Sequence, residues 1–372
     1  MGNNAYGQLG AITKDTVCEI SFRVPIVQIA CGLQHTLVRL DDGSVMAWGD
    51  NGKGQLGVGD FEPRRAPTQI SLPSRAGLSR AAQVCCGHNF SAILLDTKNT
   101  PLENLEDGKP TEGALWPNLY TFGDNSCGQL GRKSYNPTLP TPVEDFGTDF
   151  PLTIHSIWCG GHHVFVQVLC AIVKEDPKGR KDPKTSLKKR VFVFGSNKYG
   201  ELGLGPDVKD KFVQTPQQLV DLDSLEVRVS LGDCSSFVWV LPSKPKEGSS
   251  RSSILSTSSL GLGFYACGKN SKGELGLPIS SSKVSTLTRV NNIDISDAGC
   301  TYSSRFTIIL SGTDDIEPKV GYRKDIFSWE SANIHQQSKD PKVRERKPSS
   351  ERHDRRTSSS PQRRHYSVQA EE

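Results

Sequence analysis

The chain has 372 residues, 35% of them hydrophobic, with 35 glycines and a formal charge of +4 at pH 7. That length can bury a substantial core, the glycine content suits a turn-rich β protein, and no run of about 18 apolar residues is present to form a membrane-spanning helix. The charge excess lies in residues 336–372, where ten Lys/Arg face six Asp/Glu; the rest is neutral and offers nucleic acid no electrostatic footprint.

In chain order, the first element is the glycine-rich loop "GNNAYGQLG", residues 2–10. The N-terminus lacks the charged-then-apolar order of a signal peptide, and Tyr6 stands where a myristoylation signal needs Ser or Thr. Next comes "VPIVQIACGLQHTLVRL", residues 24–40, an alternating segment with a Cys-Gly turn inside it, then the hairpin turn "DDGS" and the strand "VMAWG". A second loop, "GDNGKGQLGVG", starts at Gly49 and the order repeats: "AAQVCCGHNFSAILL", "LYTFG", then "GDNSCGQLG" from Gly123. The third unit has "IHSIWCGGHHVFVQVL", "RVFVFG" and "GSNKYGELGLG" from Gly195; the fourth has "VRVSLGDCSSFVWVL", "GFYACG" and "GKNSKGELGL" from Gly268. The fifth reads "ISDAGCTYSSRFTIIL", followed by "DIFSW" at residues 325–329.

Loop starts at 49, 123, 195 and 268 lie 72 to 74 residues apart, and polar insertions at 98–117, 174–190 and 244–260 read as exposed loops that lengthen the unit. Short alternating strands between glycine turns predict antiparallel sheet, and small sheets in tandem bury their faces by stacking around an axis. The expected fold class is an all-β propeller over residues 1–335 with a disordered, basic Ser/Arg-rich tail over 336–372. Met1 stands where other units have an aromatic-ending strand, while "DIFSW" supplies such a strand with no loop after it. Two readings stay open: a five-unit propeller or arc, which "DIFSW" would close, and part of a longer parent propeller. In the tail, basic residues precede Ser/Thr in "RKPSS", "RRTSSSP" and "RRHYS", a pattern that invites phosphorylation.

The ten cysteines contain no Cys-x-x-Cys pair and several recur at one repeat position. They read as reduced core thiols of a cytoplasmic or nuclear protein. The glycine loops are not phosphate cradles, since Lys53 is followed by Gly54 rather than Ser or Thr, and "DNGKG" has glycine where calcium needs oxygen ligands. "CGGHH" at 159–163 has no partner cluster at metal-ligand spacing, and His163 aligns with His35, a turn position held elsewhere by Phe90, Ser235 and Tyr302. No metal site, cofactor signature or catalytic constellation is expected from these motifs.

G-x-N-x-x-G-[QE]-L-G, C-G-x-x-H-T-L and the W/F-G between them resemble the regulator of chromosome condensation repeat family over roughly residues 2–330. The resemblance implies a propeller whose partners are proteins, a small GTPase among them, and, since such propellers are usually seven-bladed, it makes the longer parent of the second reading a seven-bladed one, here truncated. It implies nucleotide exchange, which needs a shaped face rather than a reactive side chain, or else a non-catalytic scaffold. It also places partner-contacting residues in the two x positions of C-G-x-x-H-T. Those pairs read Leu33–Gln34, His88–Asn89, Gly161–His162, Asp233–Cys234 and Cys300–Thr301. The polar candidates are Gln34, His88, Asn89, His162 and Asp233, with His162 and Asp233 matching the residue types the family uses.

Overall fold

The computed structural model describes residues 3–11, 19–73, 80–96, 118–133, 137–147, 152–174, 184–241, 260–291, 298–303 and 306–311. The segment "DIFSW", the tail and the insertions 98–117 and 244–259 lie outside them. Among the described residues the regular structure is all β, apart from one short 3-10 turn at Val220–Leu222.

Four antiparallel sheets of four strands follow one another. The first holds β1 (Ile26–Cys31), β2 (His35–Leu40), β3 (Val45–Gly49) and β4 (Arg64–Gln69). The second holds β5 (Ala81–Cys86), β6 (Phe90–Leu95), β7 (Leu119–Gly123) and β8 (Thr141–Pro142). The third holds β9 (Leu152–Cys159), β10 (His163–Lys174), β11 (Lys184–Ser196) and β12 (Phe212–Gln218). The fourth holds β13 (Glu226–Leu231), β14 (Ser235–Leu241), β15 (Gly263–Lys269) and β16 (Lys283–Arg289). A fifth hairpin pairs β17 (Ala298–Ser303) with β18 (Phe306–Ser311). Strand order in each four-stranded sheet follows the chain, the meander of a propeller blade. The second and third strands of blades one, two and four are buried nearly end to end, as are residues 163–170 and 191–196 of the third, and Phe90, Phe165, Phe192 and Phe194 share one apolar cluster that runs through three blades.

The glycine loops that open at Gly49, Gly123 and Gly195 lie between the third and fourth strands of their blades and pack on the next. A Cβ at Gly57 would meet the ring of Phe122, one at Gly131 the ring of Phe194, and one at Gly203 the Sγ of Cys267, always at the end of the neighbour's third strand. The loop of residues 3–11 stands on the first blade in the same way, with the Trp48 indole donating to the Gln8 carbonyl at 2.9 Å. The motif's polar letters hold the loop shut. The Asn side-chain oxygen accepts from the Leu amide five residues on in every copy: Asn4 from Leu9, Asn51 from Leu56, Asn125 from Leu130, Asn197 from Leu202 and Asn270 from Leu275. The Gln or Glu carbonyl or carboxylate accepts the amide two residues back, again in all five. At the buried Leu56, Leu130, Leu202 and Leu275 the amide would otherwise be orphaned, at a cost of about 1–3 kcal/mol each.

Three expectations need correction. Residues 184–190 are strand rather than loop, since β10 and β11 stay in register from His163↔Gly195 out to Lys174↔Lys184. The Lys189 ammonium pairs with Glu226 of the next blade, which gives this extension a partner. In the fifth unit Tyr302 opposes Thr307, the separation at which Cys31 opposes Thr36. Phe306 rather than Tyr302 therefore matches His35, and Cys300 and Thr301 lie within β17 opposite Ile309 and Ile308 instead of in the turn. Finally, Cys31, Cys85, Cys86, Cys127, Cys159, Cys170, Cys234 and Cys267 are free thiols, but of these only Cys170 and Cys267 are buried, and Cys31 is exposed.

Candidate partner-binding face

The turn joining the first two strands of each blade is closed the same way four times. Gly32, Gly87, Gly160 and Gly232 donate their amides to the carbonyls of His35, Phe90, His163 and Ser235, at 2.8–2.9 Å. The two residues between are fixed through their backbones. The carbonyls of Gln34, Asn89, His162 and Cys234 each accept the amide that opens the following glycine loop, from Asp50, Asp124, Ser196 and Lys269. The preceding position bonds across blades: Leu33 N–H donates to His88 O (3.0 Å), His88 N–H to Gly161 O (2.9 Å), and Gly161 N–H to Gly232 O (2.8 Å). A chain of backbone bonds thus links the turns of four blades, and the side chains they carry do no work in that linkage.

Behind the turns the repeat histidine points inward. His35 and His163 are buried, and their Nε2 atoms lie 2.9 Å from the hydroxyls of Ser91 and Ser236 in the next blade. Each hydroxyl already donates its single hydrogen, Ser91 to the Gln55 carbonyl and Ser236 to the Glu201 carbonyl. The serine therefore accepts from His Nε2–H, which fixes the tautomer. Burial pushes both imidazoles down to about 3. Two glutamines complete the seams. The Gln28 amide makes paired bonds to the Val84 backbone, and Gln83 does the same to Ile157.

Of the five predicted contact residues, the structure brings three together. One ligating atom each from His88, His162 and Asp233 lie within 4.8 Å of one another, although the residues come from three blades. His88 Nε2 is 3.4 Å from Asp233 Oδ1, and the rings of His88 and His162 meet edge to face with centroids 4.8 Å apart. Gly161 clears the space, because a Cβ there would lie 2.6 Å from Asp233 Oδ1. Gln34 and Asn89 hold the His162 position of blades one and two and are half-buried, outside this cluster. Sequence reasoning passed over Leu33, whose side chain is 60% exposed and whose amide bonds His88, so an apolar anchor adjoins the polar trio. Two imidazoles and a carboxylate on a pinned backbone can exchange hydrogen bonds and charge with a partner.

Blade, loop and turn together define a repeat protein of the β-propeller class. Residues 1–39, 42–94, 118–167 and 189–239 match the regulator of chromosome condensation (RCC1) repeat, and the chain belongs to that family. Among relatives, human X-linked retinitis pigmentosa GTPase regulator is 36% identical over 38% of this chain and 12% of its own length. Mouse protein RCC2 is 27% identical over 62% of this chain and 34% of its own, and human probable E3 ubiquitin-protein ligase HERC3 is 28% identical over 55% and 16%. The chain therefore spans a minor part of the relatives it matches. Among solved structures, human WBSCR16 superposes with a TM-score of 0.53 at 20% identity, covering 79% of this chain and 61% of that one.

Proposed function

We propose that the face carrying the C-G-x-x-H-T turns binds a protein partner, and that this partner is a small GTPase whose nucleotide release the propeller regulates. The observation that carries the reading is the convergence of His88, His162 and Asp233 on turns whose backbones are fixed without them. Side chains spared from structural duty and held on a rigid frame are what recognition needs. The relative named as a GTPase regulator supports the choice of partner. An exchange factor acts by binding the nucleotide-free GTPase better than the loaded one, so a shaped face suffices and no bond-making residue is called for. Purified protein should accelerate release of labelled GDP from at least one member of a small-GTPase panel. Binding without acceleration would instead make this a scaffold. That second reading draws support from the relatives named as ligases, in which the matched stretch is only 16–21% of the chain.

Asp233→Ala and His162→Ala should each leave the melting transition within about 1 kcal/mol of wild type, since neither side chain holds its turn. Each should weaken the partner by about 1–3 kcal/mol, as loss of an interface contact does. Melting and affinity measured on the same two variants decide the matter. If affinity survives both changes and is lost on truncation at Gln336, recognition belongs to the basic tail.

A further inference from the structure

The geometry points to a metal site: His88, His162 and Asp233 form a three-ligand set for Zn2+, contributed by three successive blades and open at its fourth position. In a tetrahedral zinc site with metal–ligand bonds of about 2.0–2.2 Å, neighbouring ligand atoms lie roughly 3.3–3.5 Å apart. His88 Nε2 and Asp233 Oδ1 already stand at 3.4 Å, and the third ligating atom falls within 4.8 Å of both. Side-chain rotation alone can close that gap, since the backbones beneath are tied by the His88–Gly161 and Gly161–Gly232 bonds.

The His162 ring carries a second observation. Its Nδ1 is shut off from solvent and has no hydrogen-bond partner among the described residues. An enclosed ring nitrogen left unpaired is costly, and coordination through it would satisfy it directly. Two imidazoles argue against Ca2+ and Mg2+, which take oxygen ligands, and for zinc among borderline cations. With three protein ligands, the side chains of His88 and Asp233 being 31% and 28% exposed, the fourth position faces water. No motif reveals this set, because the ligands lie a whole repeat apart and only blade stacking joins them.

The test uses the full chain, stripped of metal and titrated with Zn2+ against a chromophoric chelator, then with Co2+ to read coordination geometry from its visible bands. Wild type should take up one equivalent of Zn2+ and show the absorption of tetrahedral Co2+. Asp233→Asn and His88→Ala should each weaken that equivalent by about 100-fold or more. Circular dichroism of the metal-free variants reports folding, and Asp233→Asn, isosteric and half-exposed, keeps the test decisive should His88→Ala fail to fold. Absence of an equivalent in wild type would overturn the proposal. So would its retention after all three ligands are replaced, which would put the metal on cysteines.

Discussion

Acidification from pH 7 to pH 5 is expected to remove about 4 kcal/mol of folding stability, well before the carboxylates titrate. The cause is the pair of inward histidines. His35 and His163 are held at about 3 by burial, against 6.5 for the free side chain. Between those values the unfolded chain binds two protons that the folded one refuses. The stabilisation is therefore complete above pH 6.5 and shrinks as pH falls, by about 1.4 kcal/mol per unit for each histidine. Urea unfolding at pH 7, 6 and 5 measures it. The protein itself shows how to remove half the effect. Blade two has Phe90 at the histidine position and blade three has Val164 at the serine position, both within one apolar cluster. His163→Phe combined with Ser236→Val copies that pairing and should halve the loss. A pH dependence below about 1 kcal/mol, or one unmoved by the double variant, would refute the account.

The second large effect is expected at Gly54→Ala, which should destabilise by about 2–5 kcal/mol. Gly54 has φ of 81°, where an alanine costs about 1–2 kcal/mol. The added Cβ would also lie 2.4 Å from the Pro137 carbonyl oxygen of the next blade. That oxygen accepts the Gly123 amide at 2.8 Å and cannot withdraw without breaking the bond, so overpacking adds about 1–3 kcal/mol. Gly52→Ala, in the same loop, is the control. Its φ is ordinary and the nearest atom is Asp50 Oδ1 at 3.5 Å, so a change within about 0.5 kcal/mol is expected. Equal denaturation midpoints for the two variants would show that the loop does not fasten one blade to the next.

The first strand of each blade was readable in the sequence because its residues alternate, and the second and third because they are apolar and mostly buried; the glycines marked where they end. The fourth strands were not. "RRAPTQ" in β4 and "FVQTPQQ" in β12 are polar and carry proline, since they pair on one side only and half of their groups face water. Residues 184–190 misled for a related reason: their lysines read as a loop, yet they extend a hairpin on which Lys189 pairs with Glu226 across the seam. In the candidate site the residue types His162 and Asp233 were legible from their turn positions. Their meeting with His88 was not, because residues one repeat apart become neighbours only when blades stack. The fifth unit slipped in register because its turn lacks the glycine that marks the other four.

Because the glycine loops from Gly49, Gly123 and Gly195 reach forward onto the next blade, a sequence unit carries both a blade and the fastening for the blade after it. Duplication of one such stretch of coding sequence would deliver a sheet together with a ready-made joint, already shaped to the aromatic or thiol that closes the next third strand. The array can lengthen or shorten in whole units without a new interface having to arise. Divergence is then left to the turn side chains, which no joint depends on.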